Sequence, residues 1–222
     1  MKYRHEWKHE ISPGDMLAIR ARLSAIAARD AHAVDGKYHI RSLYFDNIAD
    51  KALREKIDGV NYREKFRIRC YNGEYSVIHL EKKSKINGLC LKESTSLTRE
   101  QTHALLSGEY EWMPKSHDEL ITELYSKMMY QGLLPKTLVD YTREPFVYAP
   151  GNVRVTLDYN IHTGLSCTDF LDPRCVTIPA SNSIILEVKW DEYLPDIIRD
   201  AVQLNACRST AFSKYAECRK YG

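Results

Sequence analysis

The sequence predicts an α+β fold built on an antiparallel sheet. About eight segments have the polar–apolar alternation of strands and are joined by short, hairpin-like links. Four or five other segments place apolar residues at helical spacing. On most of the strands, charged residues recur at every second position, so that one face is charged and the other apolar. We expect the helices to cover the apolar face.

The chain opens with a strand and a capped helix. Tyr3–Ile11 alternates as a strand does. Ser12 follows as a helix N-cap, with proline next and an acid two residues later, and the helix is predicted to end near Asp30. A second strand is predicted over Tyr38–Asn47, followed by a short helix or irregular link over Ala49–Lys56.

A strongly charged hairpin occupies Asn61–Lys85, with its turn at Asn72-Gly73. After a tight-turn signal at Asn87-Gly88, a fifth strand is predicted over Leu89–Ser96. These three strands are predicted to be neighbours in the sheet, because short turns join antiparallel strands.

Two capping boxes mark the helices that follow. Thr98 with Gln101 begins a helix that runs to Gly108. Ser116 with Glu119 begins another, which should end at Gly132.

The last third of the chain contains three more strands. They are predicted over Lys136–Tyr148, Val153–His162 and Ile184–Trp190, and 163–182 is expected to be a loop. A final helix begins at Leu194-Pro195 and includes Ile198, Ala201, Val202 and Asn205, and the tail Phe212–Tyr215 is polar and basic.

The chain of 222 residues is predicted to be a single domain over 1–222, with 44% apolar and 28% charged residues. A net charge of +2 does not suggest a general polycation. Because no apolar run reaches membrane-span length and the N-terminus lacks a signal-peptide core, we expect a cytoplasmic protein without a membrane segment. The six cysteines show no metal-ligand spacing and are expected to be free thiols.

His5-Glu6-Trp7-Lys8-His9 matches the zinc-protease pattern HExxH. That motif requires a helix, on which both imidazoles share a face. Here it lies in a strand pattern, where the two histidines would be about 13 Å apart. We therefore reject a zinc site.

The charged hairpin indicates what the sheet is for. One face of its first strand carries Arg63, Lys65, Arg67 and Arg69. Like charges on neighbouring strands repel, so this arrangement costs stability unless a counter-charge is bound. An eight-stranded β-barrel with these faces inward would form a tunnel lined by Arg and Lys, with the helices packed outside.

The basic residues allow three interpretations. They could form a solvated face, as charge runs usually do. Nucleic acid is not expected, because the aromatic residues lie mostly on the opposite face from the arginines. Phosphate chains fit best, since Arg binds phosphate in bidentate fashion and Lys supplies a mobile charge.

Four acids share the charged faces, namely Glu6, Glu81, Asp158 and Glu187. At least half of them are expected to form ion pairs. One or two could instead hold a divalent metal that bridges phosphate oxygens.

Motifs along nearly the whole chain resemble the VTC domain, the polyphosphate polymerase branch of the triphosphate tunnel metalloenzymes, which are related to the CYTH phosphatases. The motifs are Arg4-x-Glu6-x-Lys8, Phe66–Arg69, Glu81-x-Lys83-x-Lys85 with Asn87-Gly88 and Lys92, Tyr141-x-Arg143, Arg154-x-Thr156-x-Asp158, Leu186–Lys189 and Phe212–Tyr215. The first strand departs from the superfamily's ExExK, because Arg4 replaces the first acid. This favours the VTC branch over a hydrolase with a full acidic metal site.

The resemblance implies transfer of the terminal phosphate of ATP or another nucleoside triphosphate onto inorganic polyphosphate, with Mn²⁺ or Mg²⁺. The implied catalytic cations are Lys8, Arg67, Arg69, Lys83, Arg143, Arg154 and Lys189. Further phosphate contacts are implied for Lys85, Lys92, Tyr141, Ser213 and Lys214, with Lys92 and Ser213-Lys214 at one mouth. Glu187 is the first candidate metal ligand, followed by Glu6, Glu81 and Asp158. A triphosphate hydrolase and a non-catalytic polyphosphate-binding module are the alternatives.

Overall fold

The computed structural model describes residues 4–87, 89–204 and 210–220. Its strands are β1 (His5–Ile11), β2 (Ala28–Arg29), β3 (Tyr38–Asp46), β4 (Tyr62–Tyr71), β5 (Glu74–Ile86), β6 (Leu89–Leu97), β7 (Leu134–Tyr148), β8 (Val153–Thr163), β9 (Ile178–Ser181) and β10 (Ile184–Trp190). They form one antiparallel sheet in the order β1-β10-β8-β7-β3-β4-β5-β6, and β2 and β9 pair with β7 and β8.

Helices lie between the strands and at the C-terminal side. They are α1 (Pro13–Ile26), α2 (Lys51–Ile57), α3 (Arg99–Ser107), α4 (Glu119–Gln131), α5 (Asp196–Val202) and α6 (Lys214–Cys218), with 3₁₀ turns at Met113–Lys115 and Pro150–Asn152. In the described ranges, no helix is both long and apolar enough to cross a membrane.

The eight-stranded path curls until its two edge strands meet. Arg4, just before β1, forms an isolated antiparallel bridge with Cys90 of β6. The predicted α+β class, with eight antiparallel strands and helices outside, is confirmed. The curled sheet has an outer face under the helices and an inner face, and these two names are kept below.

Apolar side chains on the outer face explain the helix positions. Phe66 and Ile68 of β4 pack in one buried cluster with Leu105 of α3 and Leu124 of α4. A second cluster joins β8 and β10 to α1 and α5. Burial of these apolar surfaces is what holds the helices against the sheet.

The short helix α6 packs differently, against the inner side of β3 and β7. The ring of Tyr215 stacks on Tyr44 with centroids 4.9 Å apart, and its hydroxyl donates to Asp46 at 2.7 Å. Lys214 and Tyr215 of the tail that was predicted only as polar and basic therefore lie in a helix, which brings Lys214 to the sheet.

Local signals placed most helix ends correctly. The capping boxes at Ser12 and at Thr98 with Gln101 are both present, and Gly132 ends α4 with φ 65°. The prediction of Ser116 as the next N-cap is wrong. Asp118 caps α4, because its carboxylate accepts from two backbone amides of the first turn, whereas the Ser116 hydroxyl accepts from the Asp118 amide.

Two other expectations are corrected by the structure, and a third concerns residues outside the described ranges. The loop predicted over 163–182 contains β9, which pairs with β8. Helix α1 ends at Ile26, before the short strand β2. Asn205 of the last predicted helix and Gly88 of the predicted turn lie outside the described residues.

Candidate functional site

Three neighbouring strands place lysines opposite one another on the inner face. Lys83 of β5 is in register with Lys65 of β4 on one side and with Lys92 of β6 on the other. Arg63 is likewise opposite Lys85. Residues in direct register share a face, so this wall carries like charges side by side, an arrangement that destabilises a sheet by itself.

Glu81 is the acid of this wall, and it is completely buried. It pairs with Arg67 at 2.5 Å, with Lys92 at 2.5 Å and with Arg69 at 3.8 Å. Although burial opposes ionisation, these cations hold the pKa of Glu81 far below its usual range. The single negative charge of Glu81 is therefore shared among three cations.

Arg67 and Arg69 have further partners on β3 and β7. Arg67 donates to the hydroxyl of Tyr44 at 2.7 Å. Arg69 donates to Ser42 and to Tyr141, each at 3.0 Å. These neutral oxygens orient the guanidinium groups without cancelling their charge, which leaves both positive and fixed in direction.

A second wall, at the other end of the sheet order, carries a four-membered ion network on β1 and β10. Lys8 lies 2.7 Å from Glu6 and 3.4 Å from Glu187, and Lys189 lies 3.3 Å and 2.5 Å from the same two carboxylates. Despite burial, the two lysines keep the pKa of Glu187 well below its usual range. This network is close to neutral.

Lys83 lies near this network but has no carboxylate of its own within the described ranges. The charge on Lys189, together with burial and Arg67, lowers the pKa of Lys83 well below its ordinary value. Glu187 opposes this shift only in part. Lys83 is thus a cation whose charge would be stabilised by an added anion.

Asp158 joins two cations that are far apart in sequence. Arg143 donates to both of its carboxylate oxygens at 2.7 Å, and Lys214 donates to one of them at 2.5 Å. Lys214 also lies 4.6 Å from the ring centroid of Tyr141. Its side chain is only 12% exposed, so Lys214 lies deeper than the mouth position predicted for it.

The other predicted residues lie at the margins of this arrangement. Arg154 is in register with Lys189 but is turned to Asp30, 3.1 Å away. Ser213 caps α6 by accepting from the Ala216 amide. Lys85 is part-buried opposite Arg63 and Cys90.

Lys65 and Tyr44 form a pair that the sequence reasoning left unassigned. The ammonium of Lys65 lies 5.4 Å from the Tyr44 ring centroid. Burial and Arg67 lower the pKa of Lys65 to about 8, with Tyr44 acting in the opposite direction. Against the effect of burial, Arg67 and Lys65 lower the pKa of Tyr44 to about 8.

Two residues that organise the arginines, Tyr44 and Ser42, were not predicted as part of the site. Both come from β3, which is buried almost throughout and has no charged repeat. Tyr38, Ser42 and Tyr44 are separated by even numbers of positions. This spacing indicates in the sequence that they share a face, because alternate residues of a strand do so.

The acids differ in how readily they could hold a metal. All four form ion pairs, as expected for at least half of them. Glu81 and Asp158 are engaged by guanidinium groups, whereas Glu6 and Glu187 contact lysines alone and lie on adjacent strands. In the described residues no group of three or more metal-binding side chains occurs. Two carboxylates plus substrate phosphates is the donor set usual for Mg²⁺.

The remaining sequence motifs behave as expected. His5 and His9 lie on strand β1, not on a helix, so the zinc pattern is a coincidence. The five cysteines in the described ranges are free, and each is buried or partly buried. The sixth, Cys207, lies outside the described residues.

One solved structure shares this fold at low sequence identity, and another gives a weaker match. A candidate adenylate cyclase from Bacillus halodurans matches with a TM-score of 0.53 and 13% identity, over 85% of this chain and 80% of its own. The PH1819 protein from Pyrococcus horikoshii OT3 matches with a TM-score of 0.44 and 15% identity, over 90% of this chain and 84% of its own. No curated protein sequence matches the chain.

The comparison with family models is more specific. The model described as the VTC domain matches residues 3–221, nearly the whole chain. It spans both walls of the inner face and the terminal segment that carries Lys214. The chain belongs to the VTC domain family.

Proposed function

We propose that the protein transfers the terminal phosphoryl group of a nucleoside triphosphate, ATP first among them, onto inorganic polyphosphate. Its family belongs to the triphosphate tunnel superfamily, whose members bind triphosphates and generally use divalent metals. The finer assignment rests on the charge arrangement of the inner face.

The observation that carries the proposal is the row Lys65–Lys83–Lys92. Three ammonium groups face each other across β4, β5 and β6. Only one of them, that of Lys92, forms an ion pair with Glu81. The repulsion between these neighbouring positive charges is compensated when a ligand supplies negative charge. A chain of phosphates carries repeated charges along a narrow thread and fits such a row.

Arg67, Arg69 and Arg143 are the cations best suited to the transferred group. Their guanidinium groups are fixed by Tyr44, Ser42 and Asp158, so they need little rearrangement when charge develops on phosphate oxygens. Phosphoryl transfer depends mainly on such positioning and charge stabilisation.

The reaction needs no covalent enzyme intermediate. A terminal oxygen of the polyphosphate attacks the γ-phosphorus of ATP, the bond from that phosphorus to the bridging oxygen breaks, and ADP leaves with the bonding electrons. Lys8, Lys189 and Lys83 would hold the adjoining phosphates. Lys85, Lys92 and Lys214 would contact the rest of the chain, and Arg154 would act nearer the edge.

Glu187 and Glu6 are the residues proposed to hold Mn²⁺ or Mg²⁺. When bound, the metal would offset negative charge on the phosphate oxygens. Each glutamate now contacts Lys8 and Lys189, so metal binding would free these lysines for phosphate.

The deciding experiment incubates the purified protein with ATP and Mn²⁺ and resolves the products on a gel. Long-chain polyphosphate together with ADP supports the proposal. Release of orthophosphate alone would instead assign a triphosphate hydrolase. Tight polyphosphate binding with no turnover, in the presence of either Mn²⁺ or Mg²⁺, would assign a binding module.

A further inference from the structure

Two cysteines meet outside the site, in the segment between β8 and β9. The Sγ atoms of Cys167 and Cys175 are 2.7 Å apart, and both residues are partly exposed. Cys167 also lies 3.7 Å from a carboxylate oxygen of Asp169. Neither residue has a part in the proposed phosphoryl transfer.

The backbone on both sides of the pair is held in place. Phe170, between the two cysteines, is fully buried in the outer-face cluster with Leu138. The carbonyl of Asp172 accepts from Arg41 at 2.7 Å. The two thiols therefore meet because the segment is anchored at two intervening points.

A glycine fixes the start of this segment. A Cβ on Gly164 would lie 2.9 Å from the Cβ of Leu138 and 3.3 Å from the carbonyl oxygen of Cys167. The amide of Cys167 donates back to the Gly164 carbonyl at 2.8 Å. This close packing holds Cys167 against the sheet.

We infer that Cys167 and Cys175 form a reversible intrachain disulfide when the protein meets a peroxide. The thiolate of one cysteine attacks one peroxide oxygen, the O–O bond breaks, and hydroxide leaves to give a sulfenic acid. The second thiol then attacks that sulfur, and its proton leaves with the displaced oxygen as water. For hydrogen peroxide, two thiols lose two electrons, one peroxide gains them, and two waters form.

The surroundings assign an order to the two sulfurs. Burial and the hydrogen bond that the Cys175 thiol makes to Cys167 raise the pKa of Cys175 to about 12. Cys175 thus keeps its proton and acts as the resolving thiol, while Cys167 reacts first. The thiolate is the reactive form, so Cys167 attacks the peroxide as a thiolate and Cys175 gives up its proton only as it attacks the sulfenic acid.

The chain offers a direct test, because Arg174 lies between the two cysteines and trypsin cleaves after it. The reduced protein is treated with stoichiometric hydrogen peroxide, the remaining thiols are alkylated, and the tryptic peptides are mapped by mass spectrometry. We expect the peptide that ends at Arg174, which contains Cys167, to stay joined by the disulfide to the peptide that begins at Cys175. The two peptides should separate on reduction. The oxidised protein should melt about 5 °C higher.

Cys167→Ser and Cys175→Ser are the matched variants, and both should lose the joined peptides and the thermal shift. Cys167→Ser should also react more slowly with peroxide at its remaining thiols, whereas Cys175→Ser should accumulate a trappable sulfenic acid at Cys167. The inference would be overturned if both thiols were fully alkylated after peroxide treatment. It would also be overturned if Cys167 were joined to a cysteine other than Cys175. Since the map uses wild-type protein, a variant that fails to fold does not affect it.

Discussion

Arg143 and Asp158 are paired in register on β7 and β8 and share two hydrogen bonds of 2.7 Å. The pair links the inner face to the C-terminal helix, because Lys214 binds the same carboxylate. One carboxylate therefore holds together two cations proposed to contact phosphate.

Replacing Arg143 should harm both stability and binding. Arg143→Ala leaves the carboxylate of Asp158 buried with Lys214 alone, and loss of one partner from a buried pair costs about 3 kcal/mol of unfolding free energy. Urea denaturation measures this loss, and calorimetry should show triphosphate affinity at least about tenfold weaker. Arg41→Ala, which breaks the ion pair of Arg41 with Asp140 across β3 and β7 on the outer face, is the control and should keep its affinity. Equal affinity in both variants would contradict the assigned role.

Lys83→Met should separate stability from binding. Because Lys83 is repelled by Lys189 and has no carboxylate partner in the described structure, the neutral variant should have a larger free energy of unfolding than the wild type, as measured by urea denaturation. Its affinity for triphosphate should nevertheless fall. Lys82→Met, on the next residue and the outer face, loses its 2.6 Å contact with Glu123 and should show the reverse pattern. A destabilised Lys83→Met variant would show that the lysine has a partner.

Triphosphate binding should weaken as the pH rises through 8. In the free protein the pKa of Lys65 is about 8, below its ordinary value, so the lysine is charged below pH 8 and neutral above it. A bound anion favours the charged form, and binding above pH 8 must therefore take up a proton. Calorimetry in buffers of different ionisation enthalpy measures this uptake. Lys65→Met should show less of it, and an identical uptake in the variant would exclude Lys65 as its source.

Glu187→Gln should abolish polymer formation while leaving triphosphate binding in the absence of metal intact or tighter. The substitution removes a negative charge next to Lys8 and Lys189 and so frees them for phosphate. Polymer yield across a Mn²⁺ titration tests the first part, and calorimetry with a chelator tests the second. Glu144→Gln is a matched control, since Glu144 is equally buried but is bound by Arg20 on the outer face. Normal polymer yield from Glu187→Gln would remove that residue from the metal site.

The strand pattern could be predicted because side-chain alternation survives in the sequence. Val153, Val155 and Leu157 keep strict parity, and all three pack in one outer cluster. The pattern fails at Asn160, whose φ of 51° interrupts β8, and Ile161 beyond it packs in the inner cluster instead. The alternation gives no sign of this bulge, although Asn adopts positive φ more readily than most residues do.

The site was less predictable than the fold. Parity placed Arg67, Arg69 and Lys83 on one face, but it could not say which cations keep a carboxylate partner. That depends on distances between strands far apart in sequence, such as the contact of Lys214 with Asp158 over 56 positions. Helix α6 itself was missed, because its five residues are too few to show a helical period.

For the proposed polyanion ligand, the curl of the sheet also limits which molecules can reach the inner cations. An eight-stranded barrel has an interior wide enough only for its own side chains or one slender ligand. A nucleic-acid duplex carries its phosphates on the outside of a stiff cylinder and cannot be threaded through such a space. Under the proposed function, the concave shape would restrict access by size. A protein with a net charge of only +2 would then select thin, flexible anions by access as much as by affinity.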